Sequence, residues 1–358
     1  MSIQLSSLRS QALSDLVLEA QESGIDNAGN LQPSELIFEL VRLQSSKTDT
    51  IIGDGFLEVL SDGFGFLRSS VSFFAPGVDD IYVSPSQIRR FNLRSGDWVE
   101  GKIRIPREGE RYLALLQIHS VNGQKPDKAR NRLRFSSLQT AIDKSRIEWK
   151  SNSVVDGISK AVDMGYGDRL VIHTPGVYDN KDFILSLFKG IEAVPVFVLI
   201  GASPMVIEQY KHYYQSEMFC SLAGSDAERH VQAAEFGLLR AKRIAEQQNN
   251  VILVISSLSL LMRAYRDVSE QSGQSGPSSR ASTSVRRAMG HAQGLERGGS
   301  ITTVGFLADL DHPIDVRLFE DISAEQYTHL VLDSEMSVDG DEVPIDLDET
   351  QRSNGNLA

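Results

Sequence analysis

The sequence predicts a multidomain chain: an N-terminal helical module over residues 1–48, an all-β barrel over 49–120 and an α/β domain over 136–335. Three observations lead to this division. Helical apolar periodicity fills the first region, short strands separated by glycine turns fill the second, and strands that alternate with helices fill the third. A chain of 358 residues has room for two or three domains of roughly 100–200 residues.

The helical module is predicted from two segments with start and stop signals. Ser14 precedes the apolar run 15–20, and Gly24 follows at the position of a C-cap. Pro33 opens a second helix, because proline is favoured in the first turn. The apolar face of this second helix consists of Leu36, Ile37, Leu40, Val41 and Leu43.

The barrel is predicted from four short apolar and aromatic runs between turns such as Gly53-Asp54-Gly55 and Ser95-Gly96-Asp97. Short strands with glycine-rich turns over about 70 residues are typical of a small barrel. The predicted strands are Phe56–Leu60, Asp80–Val83, Trp98–Arg104 and Tyr112–His119.

The α/β domain is predicted to contain a largely parallel sheet, because apolar strands alternate with helical stretches. The strands are expected at Arg169–His173, Val194–Gly201, Val251–Ser256, Ser300–Leu307 and His329–Asp333, with helices at Asp182–Phe188 and Ala227–Glu246. Residues 121–135 are predicted to be a basic interdomain linker, the serine-rich residues 269–284 a mobile loop, and residues 336–358 an acidic disordered tail.

The formal net charge of −12 is distributed unevenly along the chain. Residues 86–134 carry a net charge of +7, whereas residues 309–358 carry −12. The basic segment 86–134 is consistent with a solvated surface and also with an electrostatic footprint for nucleic acid. Charge alone leaves both interpretations open.

Several classes of protein are excluded by composition. The longest apolar run, 193–202, has ten residues, whereas a membrane span needs about 20. The N-terminus has no secretory signal pattern, and the single Cys220 excludes a disulfide framework and suits a reducing cytoplasm. The seven histidines are scattered, so no metal site is predicted.

The heptad from Asp62 to Arg68, which reads DGFGFLR, is the most informative motif in the chain. On a strand, Phe64, Phe66 and Arg68 share one face, with glycines on the other. Such a face suits the stacking of bases, and it equally suits the filling of a barrel core. The basic segment and the aromatic Tyr82 and Tyr112 favour single-strand binding, because arginines would neutralise phosphates.

The stretch from Ile52 to Val121 closely resembles the bacterial transcription termination factor Rho family. Matching runs include Gly53-Asp54-Gly55, the heptad Asp62–Arg68, the long run Asp79–Arg94, and Gly109-Glu110-Arg111-Tyr112. The helical module and the α/β region occupy the places expected in that family. The resemblance therefore covers nearly the whole chain.

The resemblance implies that the barrel is a cold-shock-like OB fold that binds pyrimidine-rich single-stranded RNA. By position, Phe64, Phe66 and Arg68 match the family's base-stacking strand. Asp80 and Tyr82 match residues that line its cytosine pocket, and Glu110, Arg111 and Tyr112 match residues that complete it. The candidate RNA-binding set also includes Arg89, Arg90 and Arg107 of the basic segment.

The resemblance also implies a RecA-like, P-loop NTPase-type domain, but its motifs are degenerate here. Lys181 could take the P-loop lysine position, with Asp182 in place of the metal-binding hydroxyl. The strand that should end in a magnesium-binding aspartate ends in Ser256-Ser257. Gly201-Ala202 stands where the family has the carboxylate that activates water. The resemblance would place an arginine finger and final helices after Asp346, where this sequence reads Leu347-Asp348-Glu349-Thr350. No cofactor is therefore expected. ATP and magnesium would be cofactors only if the divergent nucleotide site still hydrolyses ATP.

Three functional hypotheses follow from these patterns. The leading one is a Rho-like protein that binds single-stranded RNA, does not hydrolyse ATP, and regulates or inhibits authentic Rho through RNA competition or mixed assembly. The second is an active ATP-dependent termination factor and RNA translocase with a divergent nucleotide site. The third is a scaffold that binds Rho or RNA polymerase.

Overall fold

The computed structural model describes residues 3–45, 50–70, 72–141, 146–147, 162–174, 191–213, 217–273, 276–308, 313–323, 327–331 and 350. The chain divides into two compact units, residues 1–132 and 133–358. None of the described helices combines the length and the apolar character that a membrane span requires.

The first unit begins with helices and continues into strands. Its helices are α1 (Leu5–Arg9), α2 (Leu13–Glu22), α3 (Pro33–Ser45), α4 (Pro85–Phe91) and α5 (Pro126–Arg130). Its strands are β1 (Ile3–Gln4), β2 (Ile51–Val59), β3 (Gly65–Arg68), β4 (Ile81–Val83), β5 (Trp98–Arg104) and β6 (Leu113–Val121).

Strands β2 to β6 form a closed barrel of the OB type. The order is β2-β3-β4-β6-β5, and β5 pairs with β2 to close the ring. The pair β4–β6 is parallel, whereas the other neighbours of the ring are antiparallel. This order and the one parallel pair describe a five-stranded Greek-key barrel, as the sequence predicts.

A single hydrophobic core joins the helical module to the barrel. Leu36 and Leu40 of α3 lie in the same buried cluster as Leu57 and Leu67 of the barrel. The segment 121–135, predicted as a linker, packs on the barrel as far as Arg132. Ala129 of α5 lies in the same core, and the Arg132 guanidinium forms an ion pair with the buried Asp97 carboxylate.

The second unit contains a parallel sheet. Its strands are β7 (Arg169–Thr174), β8 (Val194–Ala202), β9 (Met218–Leu222), β10 (Asn250–Ser256), β11 (Gln293–Gly294), β12 (Ser300–Ala308) and β13 (Thr328–Val331). Its helices are α6 (Pro204–Tyr213), α7 (Ala227–Ala245), α8 (Leu258–Gln271), α9 (Pro277–Met289) and α10 (Pro313–Ser323).

The order of this sheet is β13-β7-β12-β10-β8-β9, with every neighbouring pair parallel. Strand β11 pairs antiparallel with β12 at one end. The five strands predicted from the sequence are confirmed, and β9 and β11 are additional. The predicted helix 182–188 and nearly all of the predicted acidic tail lie outside the described residues.

The prediction of a mobile loop over residues 269–284 is wrong. Helix α8 extends to Gln271, and α9 begins at Pro277. Ala281, Val285 and Met289 of α9 are buried, so packing of small and apolar residues stabilises a helix despite its many serines. Tertiary contacts override local propensity here.

Candidate nucleic-acid interface

A tight turn carries the chain from β2 into β3 and begins the motif that the sequence singles out. The Leu60 N–H donates to the Phe64 carbonyl over 2.8 Å, and the Gly63 N–H donates to the Leu60 carbonyl over 2.9 Å. Gly63 has φ of +83°, a conformation that L side chains rarely adopt. The turn therefore requires this glycine and sets the direction of Phe64.

Gly65 is required by the barrel itself rather than by the exposed face. A Cβ at this position would lie 2.5 Å from the Glu58 carbonyl oxygen and 2.9 Å from Leu57 Cδ1. The second glycine of the motif thus permits the close approach of β2 and β3. It does not serve only to leave space around the aromatic rings.

Four aromatic rings gather beside β3 and β4, and we call them the aromatic cluster: Phe64, Phe66, Tyr82 and Tyr112. Phe66 lies at its centre, with ring centroids 4.8 Å from Tyr112, 5.8 Å from Phe64 and 6.1 Å from Tyr82. Phe64 and Tyr82 are 5.8 Å apart. Phe66 is only 8% exposed, whereas Tyr112 is 39% exposed. The surface of the cluster is therefore formed mainly by the three outer rings.

The cluster rests on a buried ion network around Arg68. The Arg68 guanidinium donates from Nε to Glu58 Oε2 over 2.7 Å and from Nη1 to Asp80 Oδ2. It also lies 5.0 Å from the centroid of the Phe66 ring, within cation–π range. Burial raises the pKa of the Asp80 carboxyl to about 6, although the Gly77 N–H and Arg68 oppose the shift.

The network changes the interpretation of two site residues. Arg68 is 6% exposed and Asp80 is fully buried, so they lie beneath the aromatic cluster and neutralise each other. Glu58, the third member, was not among the sequence-predicted site residues. The alternation of side chains along β2 could have indicated it, because Glu58 is the strand partner of Phe66.

Glu110 is held by two neighbours in the loop between β5 and β6. Arg104 Nη2 donates to Glu110 Oε1 over 2.9 Å, and the Arg107 N–H donates to Oε2 over 3.0 Å. These hydrogen bonds lower the pKa of the Glu110 carboxyl to about 2, and the bond from the Arg104 side chain has the larger effect. The side chains of Arg107 and Arg111 are exposed, so this loop presents two solvent-accessible cationic side chains next to Tyr112.

Arg89 and Arg90 lie in the last turn of α4, where both are exposed. A capping box at Ser84 and Gln87 starts this helix. The Arg90 guanidinium lies 5.2 Å from the ring centroid of Phe91. Arg90 and Phe91 border a cleft of about 520 Å³. Within the described residues, no contact joins Arg89 or Arg90 to the aromatic cluster.

In the second unit, the nucleotide candidates Lys181 and Asp182 lie outside the described residues. The described strand ends carry Ser256 on β10 and Gly201 and Ala202 on β8. The Ser257 hydroxyl accepts a hydrogen bond from the Leu260 N–H over 3.1 Å and so caps α8. Magnesium prefers carboxylate and phosphate oxygens, and the residues at these two strand ends do not fit it.

Cys220 is buried, and the described histidines form no metal site. Burial raises the pKa of the Cys220 thiol to about 12, so it stays protonated and unreactive. No group of three or more histidine, cysteine, aspartate or glutamate side chains forms a metal site among the described residues.

Comparisons with known proteins agree with this geometry. Residues 53–127 match the family model "Rho termination factor, RNA-binding domain". The chain has a more distant likeness to a solved structure, described as a prototypical ATPase from the type III secretion system of pathogenic bacteria. The TM-score is 0.51 with 19% identity, over 59% of this chain and 63% of that chain. At this identity the likeness shows an ATPase-like fold and nothing about activity.

Curated relatives match over most of the chain. Transcription termination factor Rho of Escherichia coli K12 is 36% identical over 332 residues, which span 88% of this chain and 79% of the relative. The factor of Salmonella typhimurium is equally similar, and that of Buchnera aphidicola subsp. Schizaphis graminum is 35% identical over the same shares. The barrel matches the family's RNA-binding domain, and the chain is 35% or 36% identical to these relatives over 88% of its length. The chain therefore belongs to the transcription termination factor Rho family.

Proposed function

We propose that this protein binds single-stranded, pyrimidine-rich RNA through its barrel and acts in or on transcription termination. The aromatic cluster is the observation that carries the proposal. Three partly exposed rings packed around Phe66 offer π-faces to successive bases. Stacking of this kind contributes about 1–3 kcal/mol per base.

Exposed arginines of the first unit support the same interaction. Exposed Arg107 and Arg111 lie in the loop that leads to Tyr112, and Arg89 and Arg90 lie exposed on α4. Each can neutralise a phosphate without competing for the stacking faces. Arg68 and Asp80 form the floor of the site, where the paired Arg68 guanidinium packs against the Phe66 ring.

Filter binding to oligo(C) tests this proposal. Tyr112→Ala removes an exposed ring and should weaken binding about tenfold, and Phe64→Ala with Phe66→Ala should abolish it. Leu18→Ala is a matched control, because Leu18 is an exposed apolar residue on α2. Affinity that is equal in the wild type and in the aromatic variants would contradict the proposal.

We further propose that the protein does not hydrolyse ATP. The ends of β8 and β10 carry glycine, alanine and serine, and phosphoryl transfer depends on positioned carboxylates, magnesium and cationic groups. A chain that binds RNA without turnover would regulate authentic Rho, either because it occupies RNA entry sites or because it joins mixed assemblies.

A termination assay with authentic Rho, read together with ATP turnover, tests this second proposal. The protein alone should show no turnover stimulated by oligo(C), and added protein should reduce termination by Rho. RNA-stimulated turnover that Lys181→Ala abolishes would instead establish the active enzyme. Co-purification with Rho that survives Phe64→Ala with Phe66→Ala would favour the scaffold.

A further inference from the structure

Two adjacent carboxylates, Asp79 and Asp80, lie buried at the entrance to β4. They are 2% and 0% exposed. Two neighbouring buried negative charges repel each other, and a buried charge is tolerated only when it is paired. Each of these carboxylates is paired with an arginine, and the two arginines come from different parts of the first unit.

Arg9, the last residue of α1, pairs with Asp79. Its Nη2 lies 3.0 Å from Asp79 Oδ2, and its Nε lies 3.3 Å from the same oxygen. The same guanidinium donates to the Asp79 carbonyl over 3.1 Å and to the Asp54 carbonyl of β2 over 2.6 Å. One buried side chain of the helical module therefore holds both β2 and the segment before β4.

The neighbouring carboxylate, Asp80, holds Arg68 beneath the aromatic cluster. Asp80 Oδ2 also accepts a hydrogen bond from the Gly77 N–H over 2.8 Å. A Cβ at Gly77 would lie 2.8 Å from Asp79 Oδ1. Within the turn 77–80, Gly77 therefore lies against the Asp79 side chain and also donates a hydrogen bond to the Asp80 side chain. A displacement of Asp79 is thereby transmitted to Asp80 through one peptide unit and this turn.

We infer that Arg9 is a positioning residue for the RNA site: through Asp79 it sets where Asp80 holds Arg68, and hence the floor on which the aromatic cluster rests. The inference rests on the proposed function of the barrel. Loss of the guanidinium leaves the buried Asp79 carboxylate without this partner. An unpaired buried charge is strongly destabilising, so the segment that carries it is displaced.

The experiment measures oligo(C) affinity and binding stoichiometry by fluorescence anisotropy in the full chain. Arg9→Met should raise the Kd about five- to tenfold at unchanged stoichiometry, a coupling of ordinary size for linked residues. In a protein that already carries Arg68→Met, Arg9→Met should change the Kd by less than about twofold, because Arg9 and Arg68 act through one network. Arg42→Met is the control, because Arg42 forms an exposed ion pair with Glu39 in the same module.

Each outcome decides between the two proposals. Wild-type protein that does not bind oligo(C) overturns the proposed function and this inference with it. Three outcomes overturn the inference only, provided that the wild type binds oligo(C). They are an unchanged Kd in Arg9→Met, a fall in stoichiometry alone, and additive effects of Arg9→Met and Arg68→Met on the free energy of binding. Where Arg9→Met does not fold, Arg9→Lys decides, because a lysine cannot reach Asp79 and the Asp54 carbonyl together. A Kd equal to that of the wild type then overturns the inference.

Discussion

Gly65 shows how one residue of an apparent binding motif can serve the fold. Because a Cβ would collide with the Glu58 carbonyl, Gly65→Ala should destabilise the first unit by about 1–3 kcal/mol, the usual cost of overpacking. Urea unfolding measures this change. Gly29→Ala is the control, because no atom lies within 4 Å of its added Cβ, and similar midpoints for the two variants would contradict the prediction.

A buried histidine pair gives the second unit a defined pH dependence. His173 Nε2 and His329 Nδ1 are 3.0 Å apart on neighbouring strands. Burial lowers the pKa of His173 to about 3, with a further contribution from His329, and burial lowers the pKa of His329 to about 4. The unfolded chain therefore binds more protons than the folded chain below the ordinary histidine pKa of about 6.5.

The contribution of the pair to the free energy of unfolding should be complete above about pH 6.5. It should be lost as the pH falls from there through the folded-state pKa values of about 4 and about 3. At pH 5 the loss is on the order of 2 kcal/mol per histidine. Urea unfolding followed by circular dichroism at pH 7 and pH 5 tests this. His329→Gln should lose less stability than the wild type over this interval, and an identical loss would count against the prediction.

At the scale of elements, the helical module is part of the barrel's core. Leu36 and Leu40 of α3 pack in one cluster with Leu57 and Leu67. A fragment of residues 1–132 should therefore unfold cooperatively, whereas residues 50–132 should melt at a lower temperature or fail to fold, because apolar burial is lost. Thermal circular dichroism compares the two fragments, and equal melting temperatures would show that the module is dispensable.

Helix α9 shows the limit of local sequence patterns at the same scale. Its serines predict a loop, yet Ala281 and Val285 are buried on one face. The Ser282 hydroxyl also donates to the Asp321 carboxylate of α10. The helix depends on neighbours that are distant along the chain, so composition within the segment does not predict it.

At the scale of the whole molecule, the net charge of −12 does not describe the basic segment 86–134, which carries a net charge of +7. The four phosphate contacts proposed for Arg89, Arg90, Arg107 and Arg111 predict a slope of log K against log salt of about −3 for a single strand. Arg89→Gln with Arg90→Gln should bring the slope to about −1.4. Binding titrations at several salt concentrations measure it, and a slope near zero in the wild type would exclude a role for these cations.

The sequence by itself determined the order of helical, barrel and α/β regions, because periodicity and turn residues act locally. It also singled out Phe64 and Phe66, which local alternation brings to one face, together with Tyr82 and Tyr112, which reach that face through the pairing of β3 with β4 and of β4 with β6. Only the tertiary structure decided that Phe66 is mostly covered, that Arg68 and Asp80 neutralise each other, and that Arg9 joins the helical module to the site. Arg9 and Asp79 are 70 positions apart, and such pairs form only when the barrel closes, because burial makes a partner for each charge obligatory.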